Sequence, residues 1–295
     1  MIEASTKAVD VMGQYGVQRS LIMQPPGLGF QKDDYTTSLS ITQNTPTRFS
    51  FLGGGASLNP LIQKTPATGV TQAIRDQFQQ TAAAIVQAGA VAFGENAALH
   101  LSFNPSHPFE QVPPDHPLFL LMADLAALYN IPIDLHMEAV TQNMATPKQF
   151  LSLSPNNPPT LNEDISAFER LLDHNAKAKV VWDHLGWDNT GDMTVDLLRR
   201  LLKLHPNLYL QLKIEPASII QNRPLDLSGK LRPEWLILIS DFPDRFVLGS
   251  DTFYTDQGAT DTRSLQLLRS FLQQLPTDLA TKVAMDNAKQ IYRLP

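Results

Sequence analysis

The chain has 295 residues, of which 43% are hydrophobic and 18% are charged, a composition that supplies enough apolar material for a large globular core. The net charge of −6 and the absence of a dense Lys/Arg run argue against nucleic acid as a partner. Cysteine is absent, so disulfides and thiolate sites are excluded and any metal must be held by His, Asp or Glu. No apolar run approaches the roughly 20 residues that span a bilayer and no signal-peptide pattern follows Met1, so we expect a cytoplasmic protein without membrane contact.

Helices and strands are predicted to alternate along the chain. The apolar spacing of residues 3–15 indicates a first helix that ends near Gly16. Short apolar segments predict seven strands, at residues 17–24, 48–52, 90–95, 131–140, 179–183, 208–214 and 245–250. Helical patterns are predicted between and after them, at residues 33–44, 71–88, 116–129, 162–178, 193–204, 233–240, 263–275 and 277–292. Residues 96–117, rich in Pro and His, are predicted to form a long loop.

This alternation is typical of an α/β fold in which helices cover a parallel sheet. Seven strands are one fewer than a closed (β/α)₈ barrel needs, and the chain begins with a helix. This count fits an N-terminally incomplete (β/α)₈ TIM barrel whose first strand is missing, and we expect residues 1–295 to form a single domain because no linker-like stretch divides them. An open doubly wound sheet is the alternative. The uncovered strand edges of an incomplete barrel favour pairing with another chain, so a homo-oligomer is a further expectation.

The stretch IPIDLHMEAV, residues 131–140, carries the strongest chemical signal. Side chains alternate along a strand, so Asp134, His136 and Glu138 are expected on one face. Three ionisable groups on one face of a buried strand are costly unless a metal, a partner charge or a substrate meets them. The alternative is a core histidine that hydrogen-bonds a neighbouring strand.

Three further strands are predicted to end in an ionisable group: Glu95, His184 and Asp251. The carboxyl ends of parallel strands form the catalytic face in both candidate folds, and in a closed barrel these groups would converge with His136. Such donors fit a site for one or two divalent cations, which lower the pKa of bound water and polarise a carbonyl. Asp251 is a candidate metal ligand and proton acceptor, with a helix N-cap as the alternative. His184 is a candidate second ligand or an electrophile.

Three other side chains are candidates for substrate binding. Lys213 ends the predicted strand 208–214, Arg223 follows it, and both are suited to a substrate carboxylate, although solvated or ion-paired basic residues are the alternative. His100 lies five residues beyond Glu95 on the expected active face. The two histidines of the long loop, His107 and His116, are expected to be solvated.

Several segments resemble the amidohydrolase superfamily, in particular its branch of TIM-barrel hydrolases and decarboxylases typified by aminocarboxymuconate-semialdehyde decarboxylase. The resemblance extends from about Gly16 to the C-terminus and rests on GVQRSLIMQPP, FGENAALH, IPIDLHMEAV, VVWDHLGW, FVLGSDTFY and DNAKQIYRL. It implies a divalent metal, zinc or alternatively manganese, with His136 as a ligand. It also implies that His184 is a ligand or catalytic group and that Asp251 binds metal and handles the proton. Glu95 matches a position that serves as a ligand or only orients one.

The chain departs from this family at its start. The family's first strand carries a His-x-His pair that supplies two metal ligands, and no such pair is present here. One explanation is a shortened sequence, and the other is a degenerate member with a weakened or absent metal site. The other site positions are intact, which favours the explanation that the sequence is shortened.

The predicted activity is that of a metal-dependent hydrolase, which acts through metal-activated water on a small carboxylated molecule. Decarboxylation by the same ligands is the alternative within the family, and a non-catalytic barrel remnant that only binds ligand is the alternative outside it. A nucleotide-binding open sheet lacks support, since no Gly-x-Gly-x-x-Gly motif follows the first strand.

Overall fold

The computed structural model describes residues 2–254 and 260–295. Its strands are β1 Ser20–Ile22, β2 Phe49–Gly54, β3 Ala92–His100, β4 Glu110–Gln111, β5 Ile133–Met137, β6 Met144–Ala145, β7 Thr160–Leu161, β8 Val180–Leu185, β9 Leu208–Leu212 and β10 Phe246–Leu248. The α-helices are α1 Ile2–Gln14, α2 Thr36–Asn44, α3 Leu58–Lys64, α4 Gln72–Gln87, α5 Pro117–Tyr129, α6 Lys148–Leu153, α7 Ile165–His174, α8 Val195–Leu204, α9 Pro233–Asp241, α10 Arg263–Leu272, α11 Thr277–Thr281 and α12 Asn287–Tyr292. Short 3₁₀ turns lie at Ala67–Gly69 and Ile220–Asn222, and a π-helical turn, Lys282–Asp286, joins the last two helices.

Seven strands form one parallel sheet in the order β1-β2-β3-β5-β8-β9-β10. The sheet curls into part of a barrel with helices outside it, which confirms the predicted incomplete (β/α)₈ architecture. All seven strands point the same way, so their carboxyl ends share one face. In the part of the chain that the structure describes, β1 and β10 are the two edges and do not pair with each other.

A cavity of about 920 Å³ lies between these two edges. It is lined by β1 on one side and β10 on the other, reaches Glu95 and His184 at the carboxyl face, and reaches Tyr292 further down. Two helices that flank this cavity are connected by a hydrogen bond. Tyr15, just after α1, donates its hydroxyl to Thr262 Oγ1, next to the start of α10, at 3.0 Å. This hydrogen bond links the end of α1 to the start of α10 across the interruption of the sheet.

The hydrophobic core lies between the sheet and its helices. Every residue of β2, β3, β5 and β8 is buried, which explains their near-continuous apolar character. Trp182 in β8 packs edge-on against Phe168 of α7 with ring centroids 5.2 Å apart, and its indole N–H donates to the Met137 carbonyl at 2.7 Å. Among the described helices, none is both long enough and apolar enough for a membrane crossing.

The predicted loop at residues 96–117 is wrong in part. Residues 96–100 continue β3, and β4 pairs with them in antiparallel fashion. Side chains from α3 support this extension, because Asn59 Oδ1 accepts the Ala97 N–H at 3.0 Å and Gln63 Nε2 donates to the Ala97 carbonyl at 2.6 Å. These partners are about 35 residues away in sequence, so no local pattern predicted the contacts.

The two histidines of this segment are not solvated as expected. His116 is buried and is the N-cap of α5, where its Nδ1 accepts the Leu118 N–H at 3.2 Å. Its Nε2 lies 2.9 Å from the Thr65 carbonyl. His107 is half-buried, with its ring centroid 4.7 Å from that of His100. Both side chains contribute to packing at the carboxyl face of the barrel.

Asp34 is a buried carboxylate that holds the turn after β2. Its Oδ2 accepts the N–H groups of Gly54 and Ala56 at 2.8 and 3.0 Å. We expect Asp34→Ala to lower the free energy of unfolding by about 2–4 kcal/mol, because two buried donors lose their acceptor. Urea denaturation measures this loss. The exposed neighbour substitution Asp33→Ala is the control, expected to change stability by less than about 0.5 kcal/mol, and equal effects of the two would contradict this role.

Candidate metal centre

Three buried side chains meet at the carboxyl face of the sheet. Glu95 of β3, His136 of β5 and His184 of β8 come from strands that are adjacent in the sheet. Glu95 Oε1 lies 2.8 Å from His136 Nδ1 and 3.1 Å from His184 Nε2. The two imidazole centroids are 4.7 Å apart. The structure thus brings together three of the four predicted metal ligands.

The backbone is unusual at two predicted site residues, His184 near the end of β8 and Asp251 after the end of β10. His184 has φ of 66° and Asp251 has φ of 47°, both in the left-handed region that side chains other than glycine rarely adopt. The register of β8 against β9 also shifts between Trp182 and Leu185. Such a conformation costs on the order of 1 kcal/mol and persists where the surroundings enforce it, most often at functional sites.

Charges within the cluster favour metal-ready protonation states. Burial would raise the pKa of the Glu95 carboxyl, but the hydrogen bonds from His136 and His184 outweigh it and hold that pKa well below its usual range. Burial lowers the pKa of His136 even though its hydrogen bond to Glu95 acts in the opposite direction. Glu95 is therefore ionised and His136 neutral at neutral pH, and both states are required of metal ligands.

The donor set fits a divalent cation. The candidate ligand atoms of Glu95, His136 and His184 all lie within 4.8 Å of one another. Donors held about 2.0–2.2 Å from a tetrahedral ion are about 3.4 Å from each other, a spacing that lies within the 4.8 Å span of these atoms. Two imidazoles and a carboxylate also match the nitrogen and oxygen preference of zinc and of manganese. In addition, His184 Nδ1 is buried without a hydrogen-bond partner among the described residues.

The sequence places the chain in a family. The family profile described as Amidohydrolase matches residues 62–294, which is most of the chain. The chain belongs to the amidohydrolase family. No curated protein sequence matches it.

Solved structures with the same fold include both hydrolases and decarboxylases. A probable 2-pyrone-4,6-dicarboxylic acid hydrolase from Acinetobacter baumannii is 13% identical with a TM-score of 0.57, covering 98% of this chain and 88% of its own. A 5-carboxyvanillate decarboxylase from Sphingomonas paucimobilis is 16% identical with a TM-score of 0.54, covering 97% and 82%. A manganese-bound dihydroxybenzoic acid decarboxylase from a Polaromonas species is 12% identical with a TM-score of 0.55, covering 98% and 85%.

The fourth predicted ligand, Asp251, lines the same cavity as Glu95 and His184 and is paired with Lys213. Lys213 Nζ lies 2.6 Å from Asp251 Oδ2 and 3.4 Å from the centroid of the Trp187 ring. Burial would raise the pKa of Asp251, but the electrostatic interactions with His184 and Lys213 and the hydrogen bond from Lys213 outweigh it and lower that pKa. Asp251 is thus ionised at neutral pH, as a proton acceptor must be.

The other predicted substrate contacts, His100 and Arg223, differ in their position. The His100 ring packs edge-on against the His136 ring at a centroid distance of 4.3 Å. Burial is the main reason that the pKa of His100 lies well below its usual range, so His100 is neutral at neutral pH. Arg223 donates its Nε–H to the Ser218 carbonyl at 2.9 Å. No hydrogen bond or ion pair joins Arg223 to the three-residue cluster within the described ranges.

Several buried acidic residues surround the three-residue cluster, and the sequence predicted only some of them. Asp134 was expected on the face of His136, and its Oδ2 accepts the Tyr292 hydroxyl at 2.8 Å. Burial, with a smaller contribution from the charge of Glu95, raises the pKa of Asp134 to about 8. Asp183 was missed. Both of its carboxyl oxygens are buried without a hydrogen-bond partner in the described structure, and burial raises its pKa well above the usual range.

Glu138, on the other side of His136, is a second acid that the strand pattern predicted. Its Oε1 lies 4.0 Å from His136 Nε2 and accepts from Asn189 Nδ2 at 2.8 Å. Burial raises the pKa of Glu138 to about 8. Asn189 was not identified from the sequence, because it lies 51 residues from Glu138 and no local pattern pairs them.

Proposed function

We propose that this member of the amidohydrolase family holds a divalent cation between Glu95, His136 and His184, and that this centre acts on a small carboxylated molecule. The observation that supports it best is the meeting of three buried donors from three adjacent strands, joined by contacts of 2.8 and 3.1 Å. Burying a carboxylate in contact with two imidazoles does not by itself favour the folded state, since packed apolar residues would give equal or greater stability. Such clusters are therefore typical of functional sites. Zinc is the first candidate for the cation, and manganese is the second.

Hydrolysis is the first proposed reaction. When bound, the cation would polarise the substrate oxygen and make a coordinated water acidic at neutral pH. Asp251 is proposed as the general base because it is ionised, lies beside the cluster and is partly open, with 27% of its side chain exposed. His100 and His136 are neutral, so their rings add no positive charge to the inner wall of the site. Lys213 supplies the positive charge that a substrate carboxylate would meet.

Decarboxylation is the second candidate, and the decarboxylases among the structural neighbours favour it. The carbon–carbon bond to the carboxyl group breaks, carbon dioxide leaves, and a proton must replace it on the carbon. Asp251 is proposed to take up a proton from water and deliver it to that carbon. The same residues would thus serve both reactions, and the substrate's leaving group would decide between them.

Metal analysis of purified protein tests the centre. After incubation with zinc and removal of unbound metal, we expect about one ion per chain, and His136→Ala should reduce it to a small fraction because one of three donors is lost. His174→Ala is the control, since His174 ends α7 and contacts Asp124 instead. Occupancy that His136→Ala leaves unchanged would favour a barrel remnant without a metal centre.

Two probe substrates separate the reactions. 2-Pyrone-4,6-dicarboxylate reports hydrolysis through ring opening, and 5-carboxyvanillate reports decarboxylation through release of carbon dioxide. Turnover of either by the zinc- or manganese-loaded protein, lost in His136→Ala, would support the enzymatic proposal. Full metal occupancy without turnover of these or related carboxylated compounds would favour a ligand-binding role.

A further inference from the structure

The Lys213 side chain is a buried cation at the metal centre. It follows β9 directly, its residue is 5% exposed, and its backbone N–H donates to the Leu185 carbonyl at 2.9 Å, which ties it to the end of β8. Its ammonium lies 2.6 Å from Asp251 Oδ2 and 3.4 Å above the Trp187 ring. A buried ammonium is costly unless it is paired, and these two contacts provide the pairing.

Asp251, in turn, has Lys213 as its sole hydrogen-bonding side chain within residues 2–254 and 260–295. Its residue also lines the same cavity as Glu95 and His184, two members of the three-residue cluster. One carboxylate therefore lies within reach of two positive charges, the ammonium of Lys213 and a cation held by the cluster. In a site of low polarity, these two charges repel each other strongly and compete for the same anion.

We propose that Lys213 is a displaceable counter-cation that holds Asp251 in the metal-free protein and gives it up when a divalent cation binds. Asp251 then completes the donor set of Glu95, His136 and His184, and the ammonium stays over the Trp187 ring. Lys213 thereby sets the affinity of the centre for metal and is freed for an anionic group of the substrate. This inference rests on the proposed metal centre and deepens it.

The geometry makes this exchange feasible. The lysine side chain has four rotatable methylenes and a single point charge, so it can leave one oxygen without a change of backbone. The aromatic face provides a second, uncharged partner for the ammonium, which lowers the cost of losing the carboxylate. Asp251 has the more open side chain of the pair, 27% exposed against 6% for Lys213, which leaves it room to turn.

A double-mutant cycle on zinc affinity tests the proposal. We expect Lys213→Met to bind zinc about tenfold tighter than the unmodified chain, because Asp251 loses its competing partner. In the Asp251→Asn background, the same substitution should change zinc affinity by less than about threefold. Lys213→Arg, which keeps the charge, should remain close to the unmodified chain. Melting temperatures of all variants show whether they are folded, and competition with a chelating dye gives each dissociation constant.

Trp187 fluorescence provides a second readout, independent of activity. When Asp251 leaves the ammonium, the charge above the indole ring is no longer neutralised, so the Trp187 emission should change during zinc titration with the midpoint of the binding curve. Trp187→Phe should remove that change. A gain of Lys213→Met that persists with Asp251→Asn would show general repulsion and overturn the exchange. Unchanged zinc affinity in Lys213→Met, with binding still lost in His136→Ala, would overturn this inference alone. Absence of zinc binding in both the unmodified chain and Lys213→Met would overturn the metal centre and this inference together.

Discussion

Asp134→Asn is expected to raise the free energy of unfolding of the metal-free protein by a few kcal/mol at pH 8 and to have little effect near pH 4. Burial raises the pKa of Asp134 from 3.8 to about 8 in the folded protein. Between these two values the folded state keeps a proton that the unfolded chain has released, so stability falls as the pH rises from about 4 to 8 and levels off above that. An amide carries no such penalty, and its oxygen can still accept the Tyr292 hydroxyl.

Urea denaturation at several pH values between 4 and 8, in the presence of a chelator, measures this effect. The difference between Asp134→Asn and the unmodified chain should grow with pH. The exposed Asp10→Asn is the control, for which a difference near zero is expected at each pH. A gain that is equal at pH 4 and pH 8 would contradict a raised pKa of Asp134 in the folded protein, and a loss of stability at pH 8 would show that the ionised carboxylate is needed.

Asp251→Asn is expected to lower turnover by roughly 10²- to 10⁴-fold at saturating metal, the contribution of a general acid–base group. The lowered pKa of Asp251 keeps it ionised at neutral pH, and an amide of the same shape cannot accept the proton. Saturating metal keeps occupancy constant, so the loss reports chemistry rather than binding. The rate with 2-pyrone-4,6-dicarboxylate or 5-carboxyvanillate, whichever the protein turns over, is the measurement.

The control for this substitution is Asp261→Asn. Asp261 forms an exposed ion pair with Arg263 at 2.6 Å, away from the three-residue cluster, and its loss should leave turnover within about twofold. If Asp251→Asn retained more than about a tenth of the turnover, another group would have to handle the proton. Glu138 and its partner Asn189 would then be the next residues to change.

Most of the fold was predictable because each element is encoded locally. Helix α4 begins one residue after Thr71, whose hydroxyl caps it, and both features lie within the predicted range 71–88. Strands β5 and β8 are short apolar runs between helices, and β5 lies within and β8 overlaps its predicted segment. The loop predicted at 96–117 was wrong in part because β3 is extended by contacts with α3 and β4, which are distant in sequence or lack an apolar pattern.

The candidate site was predictable in its members and not in their pairing. Glu95, His136 and His184 each lie on a predicted strand or immediately after one, and parallel strands bring such positions to one face. Alternation along a regular strand predicts that Asp183 and His184 lie on opposite faces. The shifted register of β8 and the positive φ of His184 depart from that regular geometry, and no local sequence pattern predicts them. The attachment of Asp251 to Lys213 likewise joins residues 38 apart.

The sequence by itself determined the kind of protein. The spacing of apolar segments predicts seven strands, and the ionisable residues at the ends of several of these strands predict the chemistry of the carboxyl face. Those are local properties, set by which side chains are apolar and where each run stops. Only the tertiary structure decided that Glu95 bridges two imidazoles, that Asp251 is held by an ammonium, and that Asp134 and Asp183 are buried acids. Distances between strands, and the loss of water around each charge, depend on residues far apart in the chain and arise only when the sheet has formed.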